Sequence, residues 1–136
     1  MDSFSVKIKL AVLWTSIVVT NLAIVIITFL SPNVIDNIRA GSVLGAEIGP
    51  NLLLLIAFTY FWVPVLLTIL SITLNDSINR WANLIAGILY ALFVLNELVS
   101  NIVKTSYLYG FFLQSTVIFI LGAIIWFSIK WTGKSK

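Results

Sequence analysis

The chain has 136 residues and a formal charge of +3, with 60% hydrophobic and 10% charged residues and a mean hydropathy of +1.10. Soluble domains carry roughly 25% charged residues, and eight basic and five acidic side chains cannot clothe so apolar a chain in a wettable surface, so its apolar residues must face lipid. The sequence contains no Cys and no His, which excludes thiol chemistry, Cys-ligated zinc, HExxH metalloproteases, histidine-ligated haem, the Ser-His-Asp triad and imidazole proton relays.

Four runs reach the roughly 20 residues that a helix needs to cross a hydrocarbon layer about 30 Å thick. The first extends over 10–30 behind Lys7 and Lys9 and stops at Ser31-Pro32, because proline cannot continue a helix. It is longer than the apolar region of a signal peptide, typically about 7 to 15 residues, and has no small-x-small cleavage site, so it reads as a retained span. The second runs over 51–74 after Gly49-Pro50 and contains Pro64. The third covers 81–103, between Arg80 and Lys104, and the fourth covers 110–129, ending at Lys130-Trp131. The runs are continuous, as in Leu52-Leu53-Leu54-Leu55-Ile56, and do not alternate by twos as the strands of a membrane β-barrel do.

The connections set the layout. Turns at 75–80 and 104–109 are short, which makes spans two and three, and spans three and four, antiparallel neighbours. The connection from Ser31 to Gly49 is longer. Ser31-Pro32-Asn33 suits a helix start, and Val34, Ile35 and Ile38 lie opposite Asp36, Asn37 and Arg39, the pattern of a short interfacial helix on the outer leaflet. Lys7, Lys9, Arg80, Lys130, Lys134 and Lys136 fall on one side of the layer, and Arg39 and Lys104 on the other. This asymmetry places both termini in the cytoplasm. The basic residues are scattered around apolar runs and gather on no single face, so no nucleic-acid partner is expected. Trp81, Tyr107, Tyr109 and Trp131 sit where amphipathic rings anchor a bundle at the headgroups.

Glu97 is the only acidic residue inside a predicted span. A charge there costs about 2.5 to 3.5 kcal/mol on insertion scales, so its presence needs a reason. It lies roughly 9 Å in from the outer end of its span at about 1.5 Å per residue. Asn83, Gly87, Tyr90, Val94, Glu97 and Asn101 recur at helical steps of four and three, a stripe that faces other helices. Asn96 and Ser100 flank it, Trp14, Asn21 and Thr28 form a weaker stripe on span one, and Gln114 and Ser115 lie near the outer end of span four.

Three readings of this intramembrane polar cluster of Glu97, Asn101, Asn21, Gln114 and Asn96 stand side by side. In one, the groups hydrogen-bond across the bundle, with Glu97 as a neutral acid. In another, Glu97 lines a small cavity and binds a proton or a cation. In the third, they form a helix-interface contact that exists only in an oligomer. Pro64 removes a backbone hydrogen bond and predicts a kink that could serve as a hinge, with Thr59 and Tyr60 one turn earlier placed to cover the freed carbonyl. Gly87 and Gly122-Ala123 permit close helix approach.

The segments Val6-Lys7-Ile8-Lys9-Leu10 with Leu13-Trp14, Gly41-Ser42-Val43, Pro64, and Arg80-Trp81-Ala82-Asn83-Leu84-Ile85-Ala86-Gly87 together resemble an uncharacterised family of small four-span prokaryotic membrane proteins, DoxX-like in layout, described as a domain of unknown function. The resemblance covers nearly the whole chain and implies the four-span topology and a prokaryotic plasma membrane. It brings no activity, substrate or catalytic residue. Members often carry acidic residues within spans one and two, where this chain has Val25 and Trp62, so the resemblance implies no shared ion site.

The sequence thus predicts an all-α integral membrane four-helix bundle forming one domain over 1–136, both termini cytoplasmic, with a short interfacial helix between spans one and two. Its expected partners are membrane lipids and further copies of the chain. No enzyme activity, metal or cofactor is expected, since Glu97 has no His, Cys or second carboxylate to work with. The function expected is structural or accessory; the alternative is a small oligomeric transporter or channel for an ion or small molecule, using Glu97.

Overall fold

A computed structural model describes residues 3–30, 33–43, 46–104 and 108–131, with the side chains of 43, 46, 101–104 and 108–110 outside that description. Helix α1 spans Ser3–Leu30, α2 Val34–Arg39, α3 Pro50–Ala57, α4 Val63–Thr73, α5 Asp76–Lys104 and α6 Leu108–Lys130. A π-helical turn, Phe58–Trp62, joins α3 to α4. Four helical stretches are long and apolar enough to cross a membrane, the second of them being α3, the π-turn and α4 together. They carry many exposed large apolar residues, including Leu54, Leu89 and Phe119, which is the surface that hydrocarbon wets.

Helix α1 begins well before the predicted span. One face of its first turns packs on protein, with Val6 and Leu10 wholly buried, while Phe4 and Ile8 on the other face stay exposed. Val6, Leu10, Trp14, Ile17 and Asn21 repeat at steps of four and three and form the buried stripe of α1. It packs on Leu67 of α4, on Tyr90 and Val94 of α5, and on Val117, Leu121 and Ile124 of α6. At Gly87, a Cβ would lie 3.2 Å from the Ile125 side chain, so this glycine sets the close approach of α5 to α6. Gly122 has no such neighbour, which corrects the expectation that it permits close packing.

Adjacency in sequence and adjacency in space differ in one respect. Helix α5 packs along α6, and α1 packs against both α4 and α6, whereas the backbones of α4 and α5 approach at few points despite their short turn. Rings occupy the space between them. Tyr60 meets Phe93 edge-on at 6.4 Å, and Phe93 lies 6.0 Å from Tyr90. We refer below to the end that carries Ser3 and Lys130 as the terminal end, and to the end that carries α2 as the loop end.

The α4–α5 turn is fastened to α1 at the terminal end. Lys7 Nζ donates to the carbonyl of Leu74 at 2.8 Å and pairs with Asp76 at 2.9 Å. One cation therefore satisfies an orphan carbonyl at the end of α4 and a carboxylate in the first turn of α5. Arg80 Nε similarly donates to the Ser128 carbonyl of α6 at 3.0 Å. At the loop end, α2 forms as predicted with Val34 buried and Ile35 exposed. It starts from Asn33, in the left-handed region at φ 65°, without a side-chain cap; the expected Ser31-Pro32 start lies outside the described residues. Gly41, at φ 86°, turns the chain into a two-residue ladder of Ser42–Val43 with Ala46–Glu47. Pro50 then opens α3 in its first turn, where a missing N–H costs nothing.

Candidate functional site

Pro64 has no N–H for the carbonyl four residues earlier, that of Tyr60. The preceding π-turn moves the Val63 N–H onto Phe58, five residues back, which also deprives the Thr59 carbonyl of its ordinary α-helical partner. Two neighbouring carbonyls are thus released inside a membrane-crossing segment, where each needs a donor. Other helices supply both. Asn21 Nδ2 of α1 donates to the Tyr60 carbonyl at 2.9 Å, and the Tyr90 hydroxyl of α5 donates to the Thr59 carbonyl at 2.8 Å. Asn21 Nδ2 also donates to the Tyr90 hydroxyl oxygen at 3.0 Å, closing the set. The side chains expected to cover the break do not do so: Thr59 Oγ1 donates to Leu55, and the Tyr60 phenol points elsewhere.

That phenol reaches Glu97. Tyr60 Oη lies 2.6 Å from each carboxyl oxygen, so one hydroxyl faces the carboxyl group symmetrically. Glu97 is only partly buried, and it lies on the side of α5 that faces the break. Residues Asn83, Gly87, Tyr90 and Val94 of the predicted stripe are all buried, which places Glu97 at the end of an inward-facing row. The helix break, Asn21, Tyr90 and Glu97 thus form one connected arrangement over three helical segments. It offers a carboxyl group, two phenols and two carbonyls, groups suited to holding a proton or a cation.

Gln114 is buried on α6. Asn96 is exposed, because one residue before Glu97 lies about 100° around the helix and so turns away from the bundle. The side chains of Asn101 and Tyr109, and all of Tyr107, lie outside the described residues. Trp81 is exposed at the terminal end, with Arg80 5.8 Å from its ring, as an interface anchor would be. Trp131 departs from that role: it is 2% exposed and belongs to the core cluster, so protein encloses its ring and lipid does not. Trp126, one turn earlier on α6, is exposed, with Lys130 Nζ 4.1 Å from its ring.

A second polar cluster, nearer the terminal end, was not anticipated. Asn83 Oδ1 accepts from Trp14 Nε1 at 2.6 Å and from Ser71 Oγ at 3.0 Å, while Asn83 Nδ2 donates to the carbonyl and side-chain oxygens of Asn79. Asn79 Nδ2 in turn donates to the Ser71 carbonyl at 2.6 Å. Ser71, Asn79 and Asn83 are fully buried. Their signal was present in the sequence: Asn79 continues the stripe one step of four before Asn83, but it fell in the stretch 75–80 read as a turn, whereas α5 already begins at Asp76.

A groove of about 480 Å³ between α1 and α6 is lined by Val12, Thr15, Ser16, Val19, Thr20 and two α6 residues, Thr116 and Ile120. Its hydroxyls donate to carbonyls of their own helices four residues back. Its lining includes none of the residues of the polar site.

These features define a helical membrane protein with four helices able to cross the bilayer and a break in the second crossing segment. Its sequence places it in a named group: a family profile matches residues 4–135, and the chain belongs to the family of unknown function DUF6326. No curated protein and no solved structure matches it.

Proposed function

We propose that the chain is a non-catalytic integral membrane protein with a structural or accessory role, resident in a prokaryotic plasma membrane with its lysine-bearing terminal end in the cytoplasm. The observation that carries this reading is the use of interior polar groups. Trp14, Asn21, Ser71, Asn79, Asn83, Tyr60 and Tyr90 bond to one another or to backbone groups of neighbouring helices. Such bonds hold helices together in lipid, where apolar contact alone gives little preference for protein over hydrocarbon. Glu97 has a phenol as its partner, and the chain has no His or Cys to complete a catalytic set. The basic residues at the terminal end support the orientation. Self-association is part of the reading, since a bundle this small has little interior in which to house an activity.

A second reading is favoured by one specific observation, the Tyr60–Glu97 contact made from the helix break itself. Breaks in membrane-crossing helices expose backbone groups beside ion and proton sites, and π-turns are frequent at functional positions. In this reading, Glu97 is the proton or cation site of a small transporter. Ion-flux measurement on the purified protein in liposomes separates the two: no flux above protein-free vesicles supports the structural role, and pH-dependent flux lost in Glu97→Gln supports transport. Chemical cross-linking in the same vesicles reads self-association.

A further inference from the structure

The α4–α5 seam differs from the other helix contacts. Its backbones approach at few points, and polar side chains bridge it at two levels. Near the terminal end the bridge runs from Asn79 and Asn83 to Ser71, fully buried and without an ionisable group. Towards the loop end the bridge consists of the Tyr90 hydroxyl on the Thr59 carbonyl and the Tyr60 hydroxyl on Glu97. The second level therefore contains a carboxyl group. It is also attached to the part of the span where the regular backbone ladder is interrupted, the π-turn followed by Pro64.

We propose that the Tyr60–Glu97 pair is a proton-binding site that latches the loop-end half of this seam. With Glu97 neutral, phenol and acid form an uncharged pair that apolar surroundings accept, and the seam stays shut. With Glu97 ionised, a charge in low-dielectric surroundings demands hydration beyond what one phenol supplies. Water enters, and the segment ending at the π-turn swings about Pro64 while the terminal-end bridge holds. Loss of a proton from the Glu97 carboxyl to bulk water is the only chemical step. The described groups around the carboxyl are few. The break contributes the titratable Tyr60, α5 contributes the titratable Tyr90, α1 brings the neutral Asn21, and α6 carries the neutral Gln114 on its loop-end half. No described cation pairs with Glu97.

This inference rests on reading Glu97 as a proton site, but it does not require net transport. A chain that moves no ions still passes the test below, and one that conducts without opening the seam fails it. The absence of native cysteine allows clean spin-labelling of a Leu54→Cys/Val99→Cys pair, two exposed positions on α3 and α5 towards the loop end. Inter-label distances are measured by pulsed electron resonance on the full chain in lipid nanodiscs, stepping from about pH 5 to about pH 9, a range wide enough to titrate a carboxyl group. The expected result is a lengthening of more than about 2 Å, larger than small interface adjustments. In a Glu97→Gln background, whose amide oxygen still accepts from Tyr60, the distance should stay short throughout. In Tyr60→Phe, which keeps the ring against Phe93 and removes the hydroxyl, it should be long even at low pH. A parent distance that does not change with pH, an equal response in Glu97→Gln, or a Tyr60→Phe variant that behaves as the parent would each overturn the proposal.

Discussion

The two polar clusters of this bundle use similar side chains to different ends. At the terminal end, Asn79, Asn83, Ser71 and Trp14 lie sealed among regular helices, and the carboxamide of Asn83 joins three of them. Towards the loop end, Asn21 and Tyr90 serve carbonyls released by the π-turn and Pro64, and the same region holds a partly exposed carboxyl group. The first cluster is uncharged and closed, so its contribution is fixed geometry. The second contains a helix irregularity and an ionisable group within one network, so its geometry depends on solvent and protonation. Polar residues in a membrane bundle are therefore not equivalent, and the state of the backbone they touch separates packing from candidate function.

The largest effect should come from the sealed cluster. Asn83→Leu leaves the Trp14 indole N–H and the Asn79 side-chain oxygen without their partner in an apolar interior. A loss of about 2–4 kcal/mol is expected, since each buried unsatisfied group costs about 1–3 kcal/mol. Thermal unfolding in detergent reads it, and a change below about 0.5 kcal/mol would place this cluster in water.

The helix break gives a sharper test through coupling. Asn21→Ala should cost about 1 kcal/mol, in line with hydrogen bonds between membrane helices. Pro64→Ala restores an N–H that can reach the Tyr60 carbonyl, so the Asn21 substitution should cost less in that background. A double-mutant cycle returning a coupling of about 0.5–1 kcal/mol is the expected outcome. Strict additivity would mean that Asn21 does not serve the carbonyl that proline frees.

Smaller effects follow at the edges. Lys7→Met removes the cation shared by Leu74 and Asp76 and should lower stability by about 1 kcal/mol, less at high salt, as for other partly exposed ion pairs. Asn96→Ala should change stability by less than about 0.5 kcal/mol, the ordinary range for exposed positions. If Asn96→Ala instead matched Asn21→Ala, the assignment of α5 faces would be wrong by one residue.

Much of the architecture was legible because lipid imposes a strong rule: apolar runs of sufficient length become helices that satisfy their own backbone. The stripe from Asn83 to Glu97 likewise followed from period alone, and Asn21 was assigned to the polar interior from its spacing with Trp14. What escaped was the chemistry that depends on several helices meeting. Pro64 announced a break, yet the π-turn that doubles the number of free carbonyls, and the choice of Asn21 and Tyr90 as donors, arise from tertiary packing. Trp131 was misjudged for a related reason: its position after Lys130 suggested the headgroup layer, while the terminal-end core encloses it. Asn79 was hidden by its place in a stretch read as a turn, although its spacing to Asn83 matched the stripe.

The central claim is that Glu97 turns into the bundle and is held there by the helix break. Solid-state NMR on the isotopically labelled protein in bilayers tests it most directly, by seeking a carbon–carbon correlation between the Tyr60 ring and the Glu97 carboxyl. The account predicts that cross-peak, together with weak transfer from lipid acyl protons to Glu97. A missing cross-peak with strong acyl transfer would show the carboxyl lying against hydrocarbon and would contradict it.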